Sequence, residues 1–141
     1  MMGRLEMFLK HEKKAIGAVL FTDGVELLVL KPRKKGYWEI PKGKFDEEEK
    51  AKEGAAREFY EETGIKINTS KMTFLKKFRQ RKGKLVMLFI YEVKKLPPVR
   101  KMKDKTGKSK DEIADWMYIT DADIHTYVRF DIAKHIKGIV V

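Results

Sequence analysis

Residues 43–65 read GKFDEEEKAKEGAAREFYEETGI, a stretch that gathers eight acidic side chains in a chain of 141 residues whose formal net charge is +11. Between Asp46 and Glu62 the eight acids meet three bases, Lys50, Lys52 and Arg57, so the segment carries −5 and the remainder of the chain +16. The spacing predicts a helix over about 47–62. Asp46 with Glu49 three residues on has the form of an N-terminal cap and its reciprocal glutamate. Ala51, Ala55, Ala56 and Phe59 supply an apolar stripe of helical period. Gly64 stands where a left-handed cap would end the helix, and Gly54 is its weak point. On such a helix Glu58, Glu61 and Glu62 fall at i, i+3 and i+4, so their carboxylates leave one face at roughly 5–6 Å spacing. Only Arg57 is placed to pair, with Glu61. A divalent cation relieves that repulsion better than one arginine, and Mg²⁺ takes oxygen ligands of this kind. An ordinary solvated acidic face is the alternative that charge alone leaves open.

Outward from the helix, short apolar runs alternate with turn signals. AIGAVLF (15–21) and VELLVL (25–30) flank Asp23-Gly24, a strong hairpin signal, and should pair as antiparallel strands. In WEIPKGK (38–44), Pro41 pushes Ile40 towards an extended conformation and opens a loop. MTFLKKF (72–78) and LVMLFIYEV (85–93) flank a turn at Gly83 as a second hairpin. IADWMYI (113–119) reads as a further strand, and a helix over about 121–137 would bury Ile124, Val128, Ile132 and Ile136. The expected architecture is an α/β (α+β) sandwich, a mixed β-sheet packed between helices, formed as a single domain over 1–141.

Composition narrows the setting. The chain has no cysteine, which excludes disulfides and thiolate metal sites. The first fourteen residues, MMGRLEMFLKHEKK, lack the apolar centre of a secretion signal, and no run approaches the ~20 apolar residues of a membrane span. The expectations are no membrane partner and a cytoplasmic location. Two basic stretches dominate the positive excess: KKFRQRKGK (76–84) has six bases and no acid, and KKLPPVRKMKDKTGKSK (94–110) has eight bases and one acid. Carboxylates within a basic frame suggest cations held by the acids and a polyanion held by both. A lysine-rich surface that merely keeps the protein soluble is the plainer alternative.

From Gly43 the order is Gly, five residues, Glu49, seven residues, Arg57-Glu58-Phe59, one residue, Glu61-Glu62, one residue, Gly64-Ile65. This resembles the Nudix box, the signature of the Nudix hydrolase superfamily, with Phe59 where the family usually has an aliphatic residue. Seven identities at residue frequencies of roughly 5–7% would coincide by chance with a probability on the order of 10⁻⁸ per starting point. The surrounding order of strands and helices also looks like the family, so the resemblance covers almost the whole chain. It implies hydrolysis of a nucleoside diphosphate linked to another moiety, by water attack on phosphorus with Mg²⁺ or Mn²⁺ bound. By motif position, Glu58, Glu61 and Glu62 would ligate metal, with the backbone carbonyl just before Gly43 adding another oxygen. Glu49 would be an outer partner, Arg57 would orient the glutamates, and Gly43 would let the loop bend close to the site. In the family a late acid often binds metal or takes the water's proton; Glu112 is the candidate, with Asp111 behind it.

The substrate is less determined. The proline expected some sixteen residues past the box in ADP-ribose hydrolases is missing, the stretch there being FRQRKGK. The tyrosine seen near there in one class of dinucleoside polyphosphate hydrolases is also missing, Tyr91 lying too far along, and no coenzyme A signature precedes the box. WEIPKGK is similar to the lead-in of hydrolases acting on diadenosine polyphosphates, inositol pyrophosphates and RNA 5′ ends. Lys42, Lys44, Arg79, Arg81 and Lys82 could hold the charges of such substrates, or could simply be solvated. Tyr37, Phe78, Tyr91 and Trp116 are candidate stacking faces for a base, while Trp38 and Trp116 read better as core. His11, His125 and His135 do not recur at metal-ligand spacing. The leading expectation is hydrolysis of a dinucleoside polyphosphate. RNA 5′ ends, nucleoside triphosphates, inositol pyrophosphates and a non-catalytic RNA-binding module are the alternatives, and the assembly is a monomer or homodimer.

Overall fold

A computed structural model describes residues 15–45, 50–100 and 112–140. In chain order its elements are β1 (Ile16–Thr22), β2 (Glu26–Pro32), β3 (Lys42–Lys44), α1 (Ala51–Thr63), β4 (Thr73–Arg79), β5 (Leu85–Glu92), β6 (Ile113–Thr120), α2 (Ile124–Tyr127) and α3 (Phe130–Ile136). The strands form one mixed sheet in the order β4-β5-β1-β2-β6, with β3 paired to β1 off that path.

The Asp23-Gly24 turn forms as expected. Asp23 Oδ1 accepts hydrogen bonds from the Val25 and Glu26 N–H groups at 2.9 Å each, and Gly24 takes φ 96°, which a side chain would oppose. The hairpin itself departs from expectation. Beyond Thr22↔Leu27 the two strands part, and the 38–44 segment fills the opening. Residues 42–44 pair with Ala18, Gly17 and Ile16, Pro41 accepts from the Val19 N–H at 3.0 Å, and Glu39 bridges Leu30. On its other side β1 runs parallel to β5 from Ile16↔Val86 to Thr22↔Glu92. The Gly83 hairpin joins β4 to β5, with a register shift between Phe74 and Lys76.

Both faces of the central strands are covered, which is why they read as continuous apolar runs rather than alternating ones. Ile16, Ala18, Leu20, Leu27, Val29, Val86 and Leu88 point to the layer formed with Ile124, Val128, Ile132 and Ile136. Val19, Phe21, Leu28, Leu30 and Phe89 point the other way, to Ala55 and Phe59 of α1 and Trp116 of β6.

Two helix boundaries differ from the sequence reading. Lys50 is extended, at φ −73° and ψ 150°, so α1 begins at Ala51 rather than near 47; the expected cap, Asp46 with Glu49, lies outside the described residues. At its other end Gly64 is left-handed at φ 77° and donates to the Tyr60 carbonyl at 2.7 Å, as read. The expected helix over 121–137 is broken. A 3₁₀ turn at Asp121–Asp123 leads into α2, Val128 is extended, and α3 starts afresh at Phe130. Backbone pairing with the 37–40 segment explains the break: Trp38 N–H donates to the Tyr127 carbonyl and Arg129 N–H to the Trp38 carbonyl, both at 3.1 Å. A β-branched Val128 suits an extended backbone, and it still buries its side chain with the other three. No helix among the described residues is long and apolar enough to cross a membrane.

Candidate active site

Two glycines facing each other across β1 and β3 seat α1 on the sheet, since Gly17 is opposite Gly43 in the register. A Cβ added at Gly17 would lie 2.7 Å from the Ala55 Cβ and 3.0 Å from the Ala51 carbonyl oxygen. One at Gly43 would lie 2.2 Å from Glu58 Cδ and 2.3 Å from its Oε2. Ala51, Ala55 and Glu58 are at i, i+4 and i+7 on α1, so one helix stripe lies on the glycine pair and its last member is a carboxylate. The expectation for Gly43 is that it lets the loop bend close to the site, and the close approach is present. It is made from strand β3 rather than from a loop, outside the positive-φ region, and glycine suits the position because the Glu58 carboxyl fills the place of its side chain.

Arg57 ties the remaining parts together. Its NH1 is 3.1 Å from Glu58 Oε1 and 3.3 Å from Glu61 Oε1, and its NH2 donates to the Lys44 carbonyl at 3.0 Å. Glu62 lies on the buried side of the helix, where its Oε1 accepts the Lys42 N–H at 2.9 Å and its carbonyl accepts the Trp116 Nε1–H at 3.2 Å. Burial pushes the Glu62 carboxyl well above the ordinary carboxylate range; the Lys42 N–H opposes that shift and the neighbouring charge of Glu58 adds to it. Lys42 also reaches Glu39, Nζ to Oε2 at 3.5 Å.

The site residues therefore fall into groups. Gly43, Lys42, Lys44, Arg57, Glu58, Glu61 and Glu62 come together where β3 meets α1. Glu112 is exposed at the entry to β6, its carbonyl accepting the Arg33 N–H at 2.7 Å. Arg79 and Arg81 are at the β4–β5 turn, where Arg79 NH1 donates to the Gly83 carbonyl at 2.9 Å. Tyr91 is at the far end of β5 from that turn, packed on the α1 side with its ring nearly parallel to Phe21 at 6.0 Å. Of the other aromatic candidates, Trp116 is core and Phe78 stacks on His135 at 4.0 Å, whereas Tyr37 lies under the Arg129 guanidinium at 4.8 Å. Glu49, Asp111 and His11 lie outside the described residues.

Among the described residues, no three carboxylates or imidazoles are gathered about one point. The donor chemistry nonetheless fits a hard divalent cation. Glu58 is held against backbone, Glu61 shares its arginine, and the charged form of Glu62, which burial disfavours, is the one a cation beside it would favour.

The model of the NUDIX domain matches residues 11–137. The chain belongs to the Nudix family. Among curated Nudix relatives it is 36% identical over 63 residues to a MutT-like protein of Streptomyces ambofaciens, a match spanning 45% of this chain and 40% of that protein. It is 42% identical over 55 residues to the uncharacterized Nudix hydrolase YvcI of Bacillus subtilis (strain 168), spanning 39% of this chain and 34% of that one. These matches thus cover about two fifths or less of the relatives' own lengths. Among solved structures, a MutT Nudix hydrolase from Burkholderia pseudomallei superposes with a TM-score of 0.69 at 18% identity, covering 91% of this chain and 97% of that one. An Ap4A hydrolase from C. elegans superposes with a TM-score of 0.69 at 17% identity, covering 88% and 94%. At such identities the likeness is one of Nudix fold.

Beside the Nudix box, the structure adds residues that the sequence reading passed over. Glu39 is buried, with Lys42 on one side and Arg129 NH1 at 3.1 Å on the other. A single acid in an apolar strand lead-in, WEIPKGK, was the available signal. Arg129 gave none, because it sits in what reads as the interior of a regular helix. Gly17 likewise reads only as a glycine within an apolar strand.

Proposed function

We propose that this chain is a divalent-cation-dependent pyrophosphohydrolase that cleaves a phosphoanhydride bond of a nucleoside polyphosphate, with a dinucleoside polyphosphate such as diadenosine tetraphosphate as the leading substrate. The observation that carries the reading is the seating of Glu58 in the Gly43 cradle, with Glu61 on the same arginine and Glu62 buried alongside. Glu58, Glu61 and Glu62, with the Lys42 carbonyl, would hold Mg²⁺ or Mn²⁺. When bound, such ions neutralise phosphate charge and acidify an attacking water. The chain's own part is positional. The glycine pair fixes how near α1 comes to β3, Arg57 restrains two of the carboxylates, and Lys42 and Lys44 bring positive charge beside them. Glu112 is the proposed acceptor of the water's proton.

Glu61→Gln tests the reading. Loss of a direct ligand should exceed the ~10–100-fold that outer-shell changes typically cost, so turnover should fall at least ~100-fold with the melting temperature preserved. Near-normal Mg²⁺-dependent turnover in that variant would defeat the assignment. The same assay run on diadenosine polyphosphates, nucleoside triphosphates, ADP-ribose, inositol pyrophosphates and 5′-triphosphorylated RNA ranks the substrates.

A further inference from the structure

Trp116 is 5% exposed on β6 and packs among the residues between the sheet and α1. Burying an indole leaves one polar group to satisfy, because Nε1–H can only donate. Its acceptor is the Glu62 carbonyl, at 3.2 Å, in the last turn of the helix that also carries Glu58 and Glu61. The last carbonyls of a helix have no donor within it. In α1 the Tyr60 carbonyl takes the Gly64 N–H at 2.7 Å, and the Glu62 carbonyl takes a side chain from a strand 54 residues further along the chain.

A register shift puts the tryptophan there. Lys31 pairs with Asp115 but Pro32 with Ile113, so Ala114 is an extra residue on β6, and bulges of this kind re-aim the side chains beside them. Ile113 and Trp116, three residues apart, consequently both pack on the α1 side, where an unbroken strand would send them to opposite faces. Next to the bulge, Asp115 Oδ1 accepts the Trp116 N–H at 2.9 Å.

Glu62 is thereby fixed at two points. Its carbonyl is joined to β6 through Trp116, and its Oε1 accepts the Lys42 N–H of β3 at 2.9 Å. The other two carboxylates are anchored differently, Glu58 in the Gly43 cradle and both Glu58 and Glu61 on the Arg57 guanidinium. Loss of the indole N–H would leave a buried carbonyl unpaired at the very residue whose carboxylate faces the cation, and the last turn of α1 would shift to find it a donor.

Building on the hydrolase reading, we propose that Trp116 is a positioning residue of the metal site: its indole N–H, aimed by the β6 bulge, sets the last turn of α1 so that Glu62 presents its carboxylate to the cation beside Glu58 and Glu61. A tryptophan that served only to fill the core would do so equally well without its N–H.

The test replaces Trp116 with benzothienylalanine, which has sulfur in place of the indole N–H and nearly the same shape. Mn²⁺ binding is measured without substrate, by electron spin resonance of the free ion, for this protein and for wild type, Trp116→Phe, Glu61→Gln and Ile119→Val. Ile119 is buried in the layer on the other side of the sheet, so its truncation is the control for lost stability alone. The sulfur analogue and Trp116→Phe should bind Mn²⁺ about tenfold more weakly than wild type, as changes outside the direct ligands typically do, and should need correspondingly more Mg²⁺ for half-maximal turnover. Ile119→Val should stay within about twofold of wild type. Wild-type affinity in the sulfur analogue would overturn the proposal, and so would equal weakening in Ile119→Val. Failure of the hydrolase reading has a different signature: wild type would bind Mn²⁺ no better than Glu61→Gln, and the proposal would fall with it.

Discussion

Gly43 and Glu58 share one volume. The Glu58 carboxyl occupies the space where any other residue at 43 would carry its Cβ, and that space is bounded on the far side by backbone paired to β1. Gly43→Ala should therefore push the Glu58 carboxyl aside. Because the clash falls on the far end of a flexible side chain, the melting temperature should change little while turnover drops at least ~10-fold, as expected when a metal-site side chain loses its orientation. Wild-type turnover in that variant would mean that Glu58 need not rest on β3. This pairing of roles was half legible beforehand. The seven-position motif names the residues that meet and a glycine that lets the chain come close to the site, but sequence spacing shows no distance between a strand and a helix, so it cannot say that a carboxyl fills the glycine's place. Glu39 and Arg129 were less legible still. They are 90 residues apart in the chain, and only the fold brings an acid in a strand lead-in to an arginine in a helix break.

The helix α1 owes its seat to glycine on the strand as well as alanine on the helix. At Gly17 an added methyl meets Ala55 Cβ and the Ala51 carbonyl, both fixed to helix backbone, so nothing nearby can swing away. Gly17→Ala should cost ~1–3 kcal/mol as overpacking, visible as a lower urea midpoint, in contrast to the stable but impaired Gly43→Ala. An unchanged midpoint would show that α1 can lift from the sheet without cost. The Asp23-Gly24 turn, the β4–β5 hairpin, the C-terminal cap of α1 and the apolar stripe of the last helical region were all readable, because each rests on local turn chemistry or periodicity. The break at Val128 was hidden because Ile124, Val128, Ile132 and Ile136 keep helical spacing through it and remain buried together. The strand-like pairing that interrupts them is made by Trp38, far away in sequence.

The charge excess belongs to the molecule as a whole, +11 in total with the acids concentrated in one segment. A polyphosphate approaching that field should be drawn in more weakly as salt screens it, the Debye length falling from ~10 Å at 0.1 M to ~3 Å at 1 M. Added KCl should raise KM for a nucleoside polyphosphate several-fold with a smaller effect on kcat; a KM indifferent to salt would leave the basic frame without a part in substrate capture. The mixed sheet was expected, yet its central pairing was not, because two apolar runs carry no mark of which neighbour each will take. That pairing, β1 alongside β5, also governs how the molecule comes into being. Its partners lie about 70 residues apart in the chain, and closing a flexible loop of that length costs about 4 kcal/mol of entropy beyond a constant term. A ribosome delivers β1, the first turn, β3 and all of α1 before the strand that will close the sheet beside them. Until β5 emerges, the middle strand has one flank of backbone donors and acceptors open to any passing β-edge. Slow closure and a need for protection during synthesis are built into the same pairing that later holds the carboxylates in place.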